Sequence, residues 1–161
     1  MSRNSFGFTM VEMMVVLLIL GMVAAVAVPS ITSSLDEMKM DGASREVVSA
    51  IQYCQSLAIK EGIEYKVNFA KAQEKFRCFE PISDVTVLHP VDKKPYEINF
   101  TGAGNFKGVD IVSASFNPGN KSAVTFTSLG EPDKLGSVVL GYRGYQKTIN
   151  VTGLLGKVSV N

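Results

Sequence analysis

Tryptophan is absent from these 161 residues, histidine occurs once and cysteine twice, and neither charge dominates, with 16 basic side chains against 15 acidic. Each shortage excludes something. A catalytic triad would have to use His89, which precedes Pro90, and no Gly-x-Ser-x-Gly elbow is present to supply its nucleophile. Two cysteines at wide spacing and one histidine do not make a zinc motif. Gly102, Gly104 and Gly108 miss the dinucleotide fingerprint by one position and follow no βαβ pattern. No acid pair stands out for glycosidase chemistry. A near-neutral chain is also not an obvious nucleic-acid binder. The sequence therefore reads as a protein that is not an enzyme and needs no metal or cofactor. Its length allows one soluble domain besides a membrane segment.

Polar side chains are missing altogether from Met13 to Val28. Counted from Phe8, this apolar stretch is 21 residues long, with only Thr9 and Glu12 interrupting it. At about 1.5 Å per helical residue it spans roughly 30 Å, the thickness of a bilayer's hydrocarbon core. Arg3 is the only basic residue before Lys39. The positive-inside rule therefore places Met1 in the cytoplasm and the C-terminal part outside it. Glu12 is the anomaly. A carboxylate inside hydrocarbon costs on the order of 2–3 kcal/mol near a helix centre, less towards its end, and such a group usually has a partner.

The polar leader Met1 to Gly7, followed by Gly7-Phe8-Thr9-Met10-Val11-Glu12 and the apolar run, resembles the class III prepilin signal of type IV pilins and type II secretion pseudopilins. The resemblance implies cleavage after Gly7 by a membrane prepilin peptidase and N-methylation of Phe8. It also implies that Glu12 neutralises a Phe8 amine during filament assembly. The physics is consistent with that role: amine and carboxylate attract far more strongly in low dielectric than in water, and each offsets the other's desolvation. Two plainer readings compete. One is a secretory signal peptide cut near Ala25-Val26-Ala27, and the other an uncleaved signal anchor. A lone Arg3 and an internal Glu12 fit a secretory signal poorly.

The sequence divides into a leader (1–7), a membrane-spanning helical segment (8–28), an amphipathic helix outside the cytoplasm (29–62) and a β-rich domain (63–161). Pro29 should kink or locally melt the helix near Val26–Pro29. Beyond it, Ile31, Leu35, Met38 and Gly42 form one apolar stripe. Ala43, Val47, Ala50, Ile51, Cys54, Leu57 and Ala58 form a second, offset by roughly a third of a turn. The expectation is that the first stripe meets neighbouring subunits and the second this chain's own sheet. A bend at Gly42 that realigns both on one core is the alternative. Gly62 is the expected helix stop.

From Ile63 the period switches to two. Strands are expected at 63–69, 76–79, 84–88, 96–100, 109–116, 123–127, 137–142, 147–151 and 156–160, the last three completing a meander. A long N-terminal helix laid on an antiparallel sheet gives a two-layer α+β domain. Phe126, Gly130-Glu131-Pro132, Val138-Val139-Leu140, Gly144, Ile149-Asn150-Val151, Gly153 and Gly156-Lys157-Val158, in that order, look like the GspH/FimT group of minor pseudopilins and minor pilins. That likeness implies a structural subunit of a secretion pseudopilus or type IV pilus, with pilin-like subunits and the inner membrane as partners.

Two further sets of residues are candidates. Cys54 and Cys78 either bridge helix to sheet in one disulfide, which persists outside the cytoplasm, or remain two buried thiols. Arg143, Lys147 and Lys157 offer phosphate contacts in a FimT-like subunit that binds DNA. Phosphate binding wants clustered cations, however, and three charges spread over 15 residues read more naturally as a solvated face.

Overall fold

The computed structural model describes residues 7–102, 104–153 and 155–161, and for Pro29 the backbone alone. The leader read at 1–7, Arg3 included, lies outside the described residues except for Gly7. Helix α1 runs from Met10 to Glu61. Among the described residues eight strands follow: β1 (Tyr65–Ala70), β2 (Lys75–Phe79), β3 (Glu97–Asn99), β4 (Asp110–Asn117), β5 (Ala123–Phe126), β6 (Leu135–Tyr142), β7 (Tyr145–Thr152) and β8 (Lys157–Val160). The chain divides into two compact units, one ending at Leu35 and the other spanning Asp36–Asn161.

In the first unit the apolar side chains of the Phe8–Val28 run that are large enough to form a core are all exposed. The helix is long and apolar enough to cross a membrane. Its helical hydrogen bonding continues through Pro29, so the local melting expected there does not occur. Thr32 Oγ1 donates to the Val28 carbonyl, and the Ser33 and Ser34 hydroxyls donate to the Ser30 carbonyl.

The second unit contains the core. Ala43, Val47, Ala50, Ile51, Cys54, Leu57 and Ala58 are all buried, and Met40 extends the stripe one turn earlier. Ile31, Leu35 and Met38 are 58–69% exposed. The periodicity missed Met40, which shares its burial with the second stripe and not with Met38. Gly42 has a packing role: a Cβ there would lie 3.0 Å from the Phe106 ring, so the glycine lets that aromatic close onto the helix. Gly62 adopts φ +70° and donates its N–H to the Ala58 carbonyl, ending the helix where expected.

The strands form two four-stranded antiparallel sheets, ordered β3-β2-β1-β5 and β4-β6-β7-β8. β4 and β5 are sequential, yet they belong to different sheets, and the Phe116–Lys121 bridge helps close the turn between them. The expected strand at 84–88 is absent. That segment makes two isolated bridges, Phe79–Thr86 and Leu88–Pro95, because Pro81, Pro90 and Pro95 interrupt a continuous ladder. Phe69, Phe76, Phe100 and Phe116 carry the aromatic core, with ring centroids about 6 Å apart.

This burial contrast makes a prediction. Val47→Ser should destabilise the full-length chain in detergent by about 2 kcal/mol or more, because it removes buried methyls and adds an unpartnered hydroxyl. Leu35→Ser should stay within about 0.5 kcal/mol of the parent. Denaturant midpoints measure both, and equal losses would show that the two stripes share one core.

Candidate functional site at the start of the helix

Gly7, Phe8 and Thr9 precede the first helical residue and have no regular structure. Phe8 is 75% exposed, and among the described residues nothing approaches the Cβ position of Gly7 within 4 Å. Among the described residues the chain from Gly7 to Thr9 is irregular.

Thr9 and Glu12 then build the helix start. Glu12 Oε2 accepts from the Thr9 backbone N–H and from the Thr9 hydroxyl, both at 2.9 Å. The Thr9 hydroxyl in turn accepts from the Glu12 N–H at 3.2 Å. The Met13 N–H closes the first turn on the Thr9 carbonyl. This is a capping box, with threonine at the N-cap and glutamate at the third helical position. Sequence reasoning gave Glu12 one partner, an amine, and missed that Thr-x-x-Glu satisfies the carboxylate within its own chain. The pattern was legible in Thr9-Met10-Val11-Glu12. The charge also sits at the positive end of the helix dipole, which favours it.

The other candidate residues lie elsewhere. Arg143 and Gly144 form the two-residue loop of the β6–β7 hairpin, both at positive φ, as a twist-matched hairpin turn requires. That turn presents Arg143 Nη1 to Asp36 Oδ2 at 3.4 Å, while Lys147 Nζ meets Asp41 Oδ1 at 2.9 Å. Between these pairs, Lys39 Nζ donates to the Lys107 carbonyl and lies 4.4 Å from the centre of the Tyr142 ring. Arg143 and Lys147 thus join the hairpin to the helix through its own carboxylates. Lys157 opens β8 opposite Thr152 and is exposed.

His89 opens the turn at 90–92 and is a quarter exposed, with Nδ1 3.0 Å from Asp92 Oδ1, Nε2 3.9 Å from Glu46 Oε1, and its ring edge-on to Tyr96. The Tyr96 hydroxyl donates to Glu46 at 3.0 Å; burial, then the Glu46 charge, pushes its ionisation well up. Tyr65, whose hydroxyl donates to Glu61, is raised likewise, chiefly by burial. Cys54 and Cys78 are free thiols here and both fully buried. Among the described residues no group of three His, Cys, Asp or Glu side chains is placed to hold a metal.

Residues 2–28 match the prokaryotic N-terminal methylation motif. The structure is similar to the minor pseudopilin EpsH of the Vibrio cholerae type 2 secretion system, with TM-score 0.57 at 12% identity over 76% of this chain and 96% of that one. The fold is pilin-like. It is also similar to the Pseudomonas aeruginosa type IV minor pilin FimU, with TM-score 0.54 at 14% identity over 78% of this chain and 90% of that one. A second crystal form of FimU gives TM-score 0.50 over 75% and 91% of the two chains at 14% identity. None of the curated protein sequences matches this chain significantly. The motif therefore covers the capping box and the apolar run, and the pilin-like fold carries them on one long helix.

Proposed function

We propose that this protein is a minor pilin or minor pseudopilin subunit, cut after Gly7, N-methylated on Phe8 and assembled through its N-terminal helix into a short filament. The carrying observation is the methylation motif seated on the irregular Gly7–Phe8 stretch, one residue before a capped helix. Cleavage creates an amine on Phe8, adjacent to the Thr9 N–H that already donates to Glu12. In a low-dielectric setting a cation there, or on the Phe8 of a neighbouring subunit, competes for the same carboxylate. The capping box holds Glu12 satisfied until that amine arrives. The helix anchors the subunit in the inner membrane with Met1 cytoplasmic, and Asp36–Asn161 faces the periplasm or the filament surface. The exposed stripe Ile31, Leu35 and Met38 is the surface left for neighbouring subunits. Prepilin peptidase is the processing partner. Nucleic acid is a poorer partner, because the guanidinium of Arg143 and the ammonium of Lys147 already face Asp36 and Asp41.

Intact mass of the membrane-extracted chain tests the processing step. The expected species begins at Phe8 and carries one added methyl. Gly7→Val should leave the unprocessed chain as the dominant species. A chain beginning at Val28 would instead mean secretion of a soluble protein, and the role given to Glu12 would fall with it.

A further inference from the structure

Cys54 and Cys78 are 24 positions apart in sequence and both lie in the same buried cluster. Cys54 is on the distal part of α1 and Cys78 on β2, where it pairs with Val67 of β1. The Cys54 sulfur lies 3.8 Å from the Lys66 carbonyl oxygen, next to Val67. The Cys78 sulfur lies 3.8 Å from the carbonyl oxygen of Ala50, one helical turn before Cys54. Each thiol therefore rests against the neighbourhood of the other. A hydrogen bond with the Cys54 thiol, added to burial, pushes the Cys78 thiol well above its ordinary range.

We propose that Cys54 and Cys78 form a disulfide in the exported protein, a covalent staple between α1 and β2, and that the dithiol described here is its reduced form. The oxidant is the disulfide of an extracytoplasmic thiol–disulfide carrier. A thiolate of this chain attacks one carrier sulfur, giving a mixed disulfide and releasing the other carrier sulfur as a thiol. The second cysteine thiolate then attacks the mixed disulfide at the sulfur of this chain. The Cys54–Cys78 bond forms and the carrier leaves as a dithiol. Two electrons pass to the carrier, and the two thiol protons end on its sulfurs. Both cysteines are fully buried in the folded domain, and Cys78 resists ionisation there, so the exchange takes place before the helix closes onto the sheet.

The staple's use rests on the subunit reading. Assembly draws on the helix, and a covalent link at Cys54 carries that load into the sheet without relying on apolar contact alone.

The full-length chain is extracted from membranes of expressing cells, trapped with N-ethylmaleimide in denaturant without reductant, and its intact mass recorded. The expected product carries no maleimide and is about 2 Da lighter than the dithiol chain. Prior reduction should yield two adducts, and Cys78→Ser should yield one without reduction. Reduction should also lower Tm by roughly 5–10 °C. Two adducts on the unreduced chain would overturn the proposal. The same spectrum reports the N-terminus, so a chain starting at Phe8 with two adducts rejects the staple alone. A disulfide on a chain starting elsewhere rejects the pilin processing alone.

Discussion

Glu12→Ala should lower the share of this chain recovered in filaments at least tenfold, while its membrane insertion and its cleavage after Gly7 persist. The variant removes two things: the acceptor for the Thr9 N–H and hydroxyl, and the negative charge at the start of the helix. Loss of a cap costs about 1 kcal/mol and frays one turn. Under the subunit function proposed above, loss of the charge also removes the attraction for a neighbour's Phe8 amine, the larger effect in hydrocarbon, and a tenfold change corresponds to about 1.4 kcal/mol. Insertion should not suffer, because a carboxylate in lipid is itself a cost. Glu12→Gln separates the contributions, since glutamine can still close the capping box with Thr9. The readout is the ratio of filament-bound to membrane-bound chain, alongside the N-terminal mass. If Glu12→Gln assembles as well as the parent, the charge is not what recruits the subunit, and the capping box alone accounts for the residue.

The second large effect is far from the membrane. Gly136→Ala should destabilise the Asp36–Asn161 unit by about 3 kcal/mol or more. A Cβ at Gly136 would lie 2.0 Å from the Ser115 carbonyl oxygen and 2.6 Å from the Phe116 Cα. Both atoms are backbone of β4, in the ladder that pairs Phe116 with Gly136. No side-chain rotation relieves that contact, so β4 must move away from β6. Phe116 is fully buried and stacks on Phe69 at 6.0 Å, so the movement opens the core at the seam between the two sheets. Overpacking of a closed site costs 1–3 kcal/mol, and broken ladder hydrogen bonds add to it. Gly104→Ala is the control, because nothing lies within 4 Å of its Cβ position. Denaturant midpoints of the full chain in detergent measure both. A Gly136→Ala midpoint equal to that of Gly104→Ala would mean the β4–β6 spacing relaxes freely.

These two sites differ in how far they could be read in advance. The anomaly of Glu12 is visible in the chain, because it is the one charged residue in the apolar stretch from Phe8 to Val28. Gly136 carries no comparable mark. Its constraint comes from a strand twenty residues earlier, and one glycine before a β-branched pair looks like any other turn or bulge.

The sequence by itself determined what depends on near neighbours. The start and stop of α1 follow from Thr9-x-x-Glu12 and Gly62, both local hydrogen-bond devices. The apolar run and the buried stripe from Ala43 to Ala58 follow from composition and a period of 3.6, which report burial without naming what covers the face. Most of the strands follow from alternation between turn residues. Only the tertiary structure decided how those strands are shared between two sheets. Pairing depends on which edges meet after the Asn117–Ser122 turn, and alternation is the same in either sheet. It likewise decided that Arg143 and Lys147 face Asp36 and Asp41, that Gly42 admits Phe106, and that Cys54 and Cys78 share one buried cluster. Each of these joins residues far apart in the chain, and the energy that brings them together comes from closing the helix onto the sheets.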